Sequence, residues 1–102
     1  MKIKLHSLAK KDLLDGFRFY ENQEKTIGHY FLDSLYSDID SLIVTVGVHQ
    51  MVYNKYYRML SKRFPFAIYY TISQGNILII AILDCRRKPA WIRNRLKNKE
   101  NK

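Results

Sequence analysis

Residues 77–83, Ile-Leu-Ile-Ile-Ala-Ile-Leu, form an apolar run without a polar interruption. A run of this length and composition reads as a buried central strand. It falls far short of the ~20 residues a membrane-spanning helix needs. The turn Ser73-Gln74-Gly75-Asn76 precedes it, and before that comes Phe66-Ala67-Ile68-Tyr69-Tyr70-Thr71-Ile72. Two apolar segments joined by such a turn predict a β-hairpin, with the central strand over 76–83. Pro65 cannot donate to a sheet ladder, so it marks a strand start. The central strand runs into Arg86-Arg87-Lys88-Pro89-Ala90-Trp91. A rigid element thereby delivers fixed positive charge to the rim of a sheet.

The remaining chain supplies a scaffold for that hairpin. Lys2 to Leu5 alternates polar and apolar residues, predicting a short strand with Ile3 and Leu5 inward. Ser7 is placed to cap a helix in which Ala9, Leu13, Phe17 and Tyr20 share one face, and Lys11, Asp12 and Asp15 the other. Gly16 inside this helix costs about 1 kcal/mol relative to Ala; close approach of a second helix would explain that cost, and a glycine with no packing role fits the sequence equally. Residues 21–25 read as a connection. Thr26 then caps a second helix predicted over 26–46, with Phe31, Leu35 and Leu42 inward and Asp33, Ser37 and Asp40 outward. Residues 49–55 read as loop and 56–62 as a strand. Trp91 to Leu96 forms a short last helix in which the Trp91 indole anchors the tail.

This order argues for an α+β fold. A first strand and a helical hairpin precede a three-stranded antiparallel meander and a short C-terminal helix, with the helices packed on one face of the sheet. Phe66, Ile68, Tyr70 and Ile72 would meet the helices, leaving Ala67, Tyr69 and Thr71 open to solvent or a partner. The chain of 102 residues, 47% hydrophobic, suits one domain over 1–97 followed by a frayed basic tail over 98–102.

Charge is segregated. Residues 1–40 balance to −1 and residues 41–102 to +10, for a net charge of +9. An acidic partner is therefore expected at the strand half. Arg58, Arg63, Arg86, Arg87 and Lys88 are the candidate contacts for phosphates or carboxylates. Tyr69 on the open face could stack on a base, although cross-strand aromatic pairing is the commoner use of such a residue. The single Cys85 excludes an intrachain disulfide and fits a reducing compartment. Three separated histidines show no ligand spacing, so neither metal nor cofactor is expected. The N-terminus lacks the apolar core of a signal peptide, and the expectation is a cytoplasmic protein not bound to membrane. No acid–base pair is evident for catalysis, which leaves open whether the chain is an enzyme.

The pattern Tyr57-Arg58, Arg63-Phe64-Pro65-Phe66, Ile68-Tyr69-Tyr70, then an apolar strand into Arg86-Arg87-Lys88-Pro89 and Trp91, resembles the RelE/ParE superfamily of type II toxin–antitoxin toxins. The likeness extends from Lys2 to about Leu96 and is strongest to the ParE branch. It implies a bacterial toxin that inhibits growth, with DNA gyrase as its target and a cognate antitoxin contributing an acidic segment. Arg58, Arg63, Tyr69, Arg86, Arg87, Lys88 and Trp91 are the residues it places at the target- or antitoxin-binding end. The RelE branch cuts mRNA on the ribosome without a metal, and a third possibility is a non-toxic homologue that only binds an antitoxin. Where the RelE branch carries a third-strand arginine, this chain has Ala67. Where that branch carries a C-terminal tyrosine, it has Trp91 or Ile92. It also departs from the ParE pattern: Asp84-Cys85 replaces a common histidine, and Lys88 a common acid.

Overall fold

The computed structural model describes residues 1–100, with side chains through residue 97. The elements run β1 (Ile3–Leu5), α1 (Ser7–Gln23), α2 (Ile27–Asp40), α3 (Leu42–Thr45), β2 (Gln50–Val52), β3 (Tyr56–Leu60), β4 (Phe66–Ser73), β5 (Asn76–Asp84) and α4 (Pro89–Glu100). The strands form one mixed sheet in the order β1-β5-β4-β3-β2. β1 pairs with β5 in parallel, and all other neighbours are antiparallel. The apolar run lies inside the sheet, as its composition required.

The α1–α2 hairpin covers one face. Ala9, Leu13, Phe31, Leu35, Ile39 and Leu42 pack there with Met59, Phe66, Ile68, Tyr70, Ile77, Ile79 and Ile82. The helices approach closely at two glycines. A Cβ on Gly16 would lie 2.5 Å from Phe31 Cζ, and one on Gly28 would lie 2.7 Å from the Phe17 carbonyl oxygen. The helix-propensity cost of Gly16 is thus offset by room for the Phe31 ring. Asp33, Ser37 and Asp40 are exposed, as their spacing predicted.

Local capping differs from expectation. His6, not Ser7, occupies the N-cap of α1, its Nδ1 accepting from the Leu8 N–H at 3.1 Å. Thr26 makes no side-chain cap. The Glu21 carboxylate instead reaches across the turn and accepts from the Thr26 and Gly28 N–H groups at 3.1 and 2.9 Å. These bonds hold the Glu21 carboxyl below its ordinary pKa, the Thr26 bond contributing most. The predicted 26–46 helix is interrupted at Ser41, whose hydroxyl donates to the Asp38 carbonyl at 2.6 Å. Such back-bonding competes with a continuous helical ladder.

Two further corrections concern the sheet. Residues 50–52 form the edge strand β2 rather than loop, so the meander has four strands. The β2–β3 turn uses Tyr53 and Asn54 at positive φ, 54° and 56°. The face expected to stay open is also covered. Ala67 and Tyr69 are 0% and 2% exposed, packed with Tyr56, Ile80, Ala81 and Leu83 beneath Ile92 and Leu96 of α4. A register shift lies between Tyr69, opposite Ala81, and Tyr70, opposite Ile79. Ile80 is the extra residue. It and Ala81 both join the α4-side cluster, while Ile79 and Ile82 join the hairpin side. This β-bulge resets the period-two alternation.

The last helix is longer than predicted and runs to Glu100, into the segment expected to form a tail; Asn101 and Lys102 lie outside the described residues. None of the helices among the described residues is long and apolar enough to cross a membrane.

Candidate functional site

The turn between β5 and α4 is held from both sides. The Cys85 N–H donates to the Pro65 carbonyl at 2.8 Å, and the Arg87 N–H to the Asp84 carbonyl at 3.2 Å. The Lys88 carbonyl accepts from the Ile92 N–H at 3.1 Å, opening α4. Pro89 suits the first helical position because its missing N–H would have no intrahelical partner there. The basic run therefore leaves a rigid strand and enters a helix within a few residues.

Within this turn the cations point to different neighbours. Arg86 folds back on Asp84, donating from Nε to Oδ1 at 2.9 Å and from Nη2 to Oδ2 at 2.7 Å. The Arg86 backbone N–H adds a third bond to Oδ1 at 2.8 Å. Hydrogen bonding to Arg86 holds the Asp84 carboxyl below its ordinary value, and the same bonds raise the Arg86 guanidinium above its own. The Tyr20 hydroxyl of α1 also interacts with Arg86. Arg87 lies over the Trp91 ring, with Cζ 4.3 Å from the centroid. At this distance a cation–π contact contributes about 0.5–1 kcal/mol at an exposed site.

Two clefts flank Arg87. The larger, about 600 Å³, runs between α1, the end of β5 and α4, and includes Asp12, Phe19, Leu83, Trp91 and Arg95 in its lining. The smaller, about 230 Å³, is lined by Tyr53, Arg58, Tyr69, Cys85, Pro89 and Ile92 as well as Arg87. Neither Asp nor Glu lines the smaller cleft. Arg58 Nη2 lies 3.7 Å from Cys85 Sγ and also bonds the Tyr69 hydroxyl. Burial opposes the Arg58 charge, but Tyr69 and Cys85 outweigh it and leave the guanidinium pKa raised. Burial raises the Tyr69 hydroxyl in turn.

The structure thus brings Arg58, Tyr69 and Arg87 together around one cleft, with Trp91 stacked on Arg87. Tyr69 is buried and cannot serve as an exposed stacking platform. Trp91 does not anchor the tail: it is 40% exposed, and Ile92 and Leu96 fill that role. Arg86 is engaged by Asp84. Lys88 is exposed at the start of α4. Arg63 is exposed in the β3–β4 connection and lines neither cleft. Ala67, at the position of the nuclease-branch arginine, is sealed in the sheet.

Sequence reasoning missed the tie that positions α4. Arg95 Nη2 donates to both Asp12 oxygens at 2.7 Å and to the Leu8 carbonyl at 3.1 Å. Asp12 also accepts from the Ile82 N–H at 3.0 Å. β1 pairs with β5 only as far as Ile79, so this carboxylate serves the uncovered edge beyond it. Burial raises the Asp12 carboxyl pKa despite Ile82 and Arg95, both of which favour the anion. Helical spacing predicts Asp12 on the outer face of α1, and the structure turns it toward β5 and α4. Nothing close to it in sequence marks a partner 83 residues away.

Chemically, this end presents guanidinium groups suited to carboxylates or phosphates. Asp84 lines the larger cleft and Tyr69 the smaller, so the two do not share one space. Among the described residues no three His, Cys, Asp or Glu side chains gather as a metal site.

Comparison with solved structures finds a chain of a structure described as the chromosomal ParDE TA system from P. aeruginosa. The TM-score is 0.74 at 15% identity, covering 80% of this chain and 92% of that one. That likeness establishes the shared fold. No curated protein matches the sequence. Residues 3–89 match the family described as ParE toxin of type II toxin-antitoxin system, parDE. The match takes in every strand and the α1–α2 hairpin, and the chain accordingly belongs to the ParE toxin family of type II toxin–antitoxin systems.

Proposed function

We propose that this chain is a growth-inhibiting toxin that acts by binding DNA gyrase, and that a cognate antitoxin neutralises it through an acidic segment. The observation that carries this reading over RNA cleavage is the burial of Ala67 under α4. The RelE branch, which the sequence also resembles, carries an arginine at that position, and here an alanine is sealed in the sheet. The Arg58–Arg87–Trp91 surface, with Arg86 and Lys88 beside it, is the proposed contact surface. Guanidinium groups held there would grip antitoxin carboxylates or the phosphates of gyrase-bound DNA. One surface serving both would make antitoxin binding occlusive.

Two assays test the proposal. Purified protein should inhibit gyrase supercoiling, and it should leave mRNA ends unchanged in a translating extract. Codon-phased cuts would overturn the gyrase reading and establish the ribosome-dependent endonuclease. The paired change Arg86→Ala with Arg87→Ala should leave the fold intact and cost about 1 kcal/mol, because the Arg87–Trp91 and Arg86–Asp84 contacts it removes lie at exposed sites. It should nonetheless abolish growth arrest. Full toxicity in the folded double variant would remove this end from the mechanism.

A further inference from the structure

The two clefts that meet at Arg87 differ in charge. The larger is lined by Lys11, Arg87 and Arg95 and by Asp12, Asp15 and Asp84, so its formal charges cancel. All three carboxylates are already engaged: Asp12 by Arg95, Asp15 by Lys11 and Asp84 by Arg86. The other side chains lining it are apolar, with Phe19 50% and Trp91 40% exposed. Its volume of about 600 Å³ is in the range of clefts that bury a large apolar group. The smaller cleft, about 230 Å³, is lined by Arg58 and Arg87 and by no acid. It is below the size of pockets that enclose a whole small ligand, which fits it to a carboxylate rather than a ring. Arg87 lines both clefts and makes no ion pair among the described residues.

We infer that the two clefts form one two-part site for a peptide that pairs a carboxylate with a bulky apolar side chain. The carboxylate lies between Arg58 and Arg87, and the apolar group between Phe19 and Trp91. This rests on the antitoxin reading above and specifies what the acidic segment carries, because acidity alone fills one cleft and leaves the other empty. Guanidinium groups pair well with carboxylates, and the smaller cleft offers two of them without a competing acid. The charge pattern selects a peptide over a nucleic acid. A nucleic acid carries a phosphate at every residue, and the three carboxylates of the larger cleft would face it. A peptide confines charge to single side chains, so an anion in one cleft can be followed by a neutral group in the next. Arg87 borders both, and its contact with the Trp91 ring ties the cationic part of the site to the apolar part.

Selection of random phage-displayed peptides on the full chain tests this. Recovered sequences should pair Asp or Glu with a large apolar residue a few positions away. Fluorescein-labelled synthetic copies are then titrated by anisotropy. Replacing the peptide acid by its amide should weaken binding to the parent protein roughly tenfold or more, as should replacing the apolar residue by alanine. In Arg58→Gln the acid replacement should cost little, while the apolar replacement keeps its full effect. In Phe19→Ala, at an exposed position, the pattern should reverse. Arg58 is half-buried, so Arg87→Gln, at an exposed position, repeats the acid test in a chain whose melting temperature should hold. Peptides selected for acid alone, or for apolar residues alone, would overturn the inference. So would replacement costs that stay undiminished in all three variants. A single-stranded oligonucleotide that displaces the peptide and loses affinity in Phe19→Ala would give the larger cleft to a base and overturn it as well. Growth arrest and gyrase inhibition by the parent chain report separately on the function this inference rests on. Both activities without either coupling would keep that function and overturn the two-part site. Both couplings without the activities would support the site and remove the toxin reading alone.

Discussion

The two faces of the sheet are covered by different means. On one, the α1–α2 hairpin lays down Ala9, Leu13, Phe31, Leu35 and Ile39, whose burial depends on the periodicity of their own helices. On the other, α4 is held by Ile92, Leu96 and the Arg95–Asp12 tie. The first face is thick and redundant, and losing one side chain leaves many others in place. The second is thin and rests on few groups. The proposed contact surface belongs to the thin face. Arg87 and Trp91 sit where α4 begins, so their placement depends on a helix that few side chains hold down.

This contrast predicts unequal responses to similar changes. Leu35→Ala, on the hairpin face, should lower global stability by ~2–5 kcal/mol, the usual cost of a large-to-small change in a sealed core. Denaturant unfolding measures it, and an unchanged midpoint would show that the hairpin does not form the main core. Leu96→Ala, on the α4 face, should cost less, at most about 2 kcal/mol, because the helix can open locally without unfolding the sheet. Hydrogen exchange should show α4 amides losing protection first while the strands keep theirs. A uniform loss across the chain would mean that α4 is integral to the core, and the distinction between the faces would collapse.

The same contrast explains what could be read from the residues alone. Phe31 and Leu35 were legible because helical spacing encodes them locally, whereas the Gly16 contact with Phe31 needed the second helix in place to decide it. The ends of β4 and β5 were legible from Pro65 and the turn at 73–76. Tyr69 was misplaced because alternation says which residues share a face and not what covers it; Leu96 does so from 27 positions along the chain. Ile80 escaped alternation because a bulge leaves no mark in an unbroken apolar run. β2 escaped because three half-exposed residues carry no periodicity. Among the proposed contact residues, the basic run and Arg58 were legible as charge. Their pairings, Arg86 with Asp84 and Arg87 with Trp91, required the turn geometry. Arg95 and Asp12 stayed hidden because a half-buried ion pair between distant helices looks, in sequence, like two surface charges.

The smallest effect gives the sharpest test of how α4 is held, because two aspartates should respond to pH with opposite signs. Asp84 has its carboxyl pKa lowered below 3.8, first by hydrogen bonds from Arg86. Its contribution to stability is present above the unfolded value and lost as pH falls through the folded one. Asp12 has its pKa raised above 3.8, because burial outweighs the Ile82 N–H and Arg95. The folded protein therefore holds that proton more tightly than the unfolded chain does. The contribution of Asp12 is full below 3.8 and falls as pH rises through its folded value. Desolvation of a buried pair can exceed its attraction, so Arg95 need not stabilise the ionised form enough to reverse this. Melting temperatures of the parent protein, Asp12→Asn and Asp84→Asn across this range separate the two terms. Asparagine keeps an acceptor for the Ile82 N–H while removing the charge. The stability of the parent relative to Asp12→Asn should decline as pH rises above 3.8, and relative to Asp84→Asn it should decline as pH falls below 3.8. If the parent instead gains on Asp12→Asn as pH rises, attraction to Arg95 outweighs burial. The tie to α4 would then be a net electrostatic clamp, and the thin face would be held more by charge than by Ile92 and Leu96.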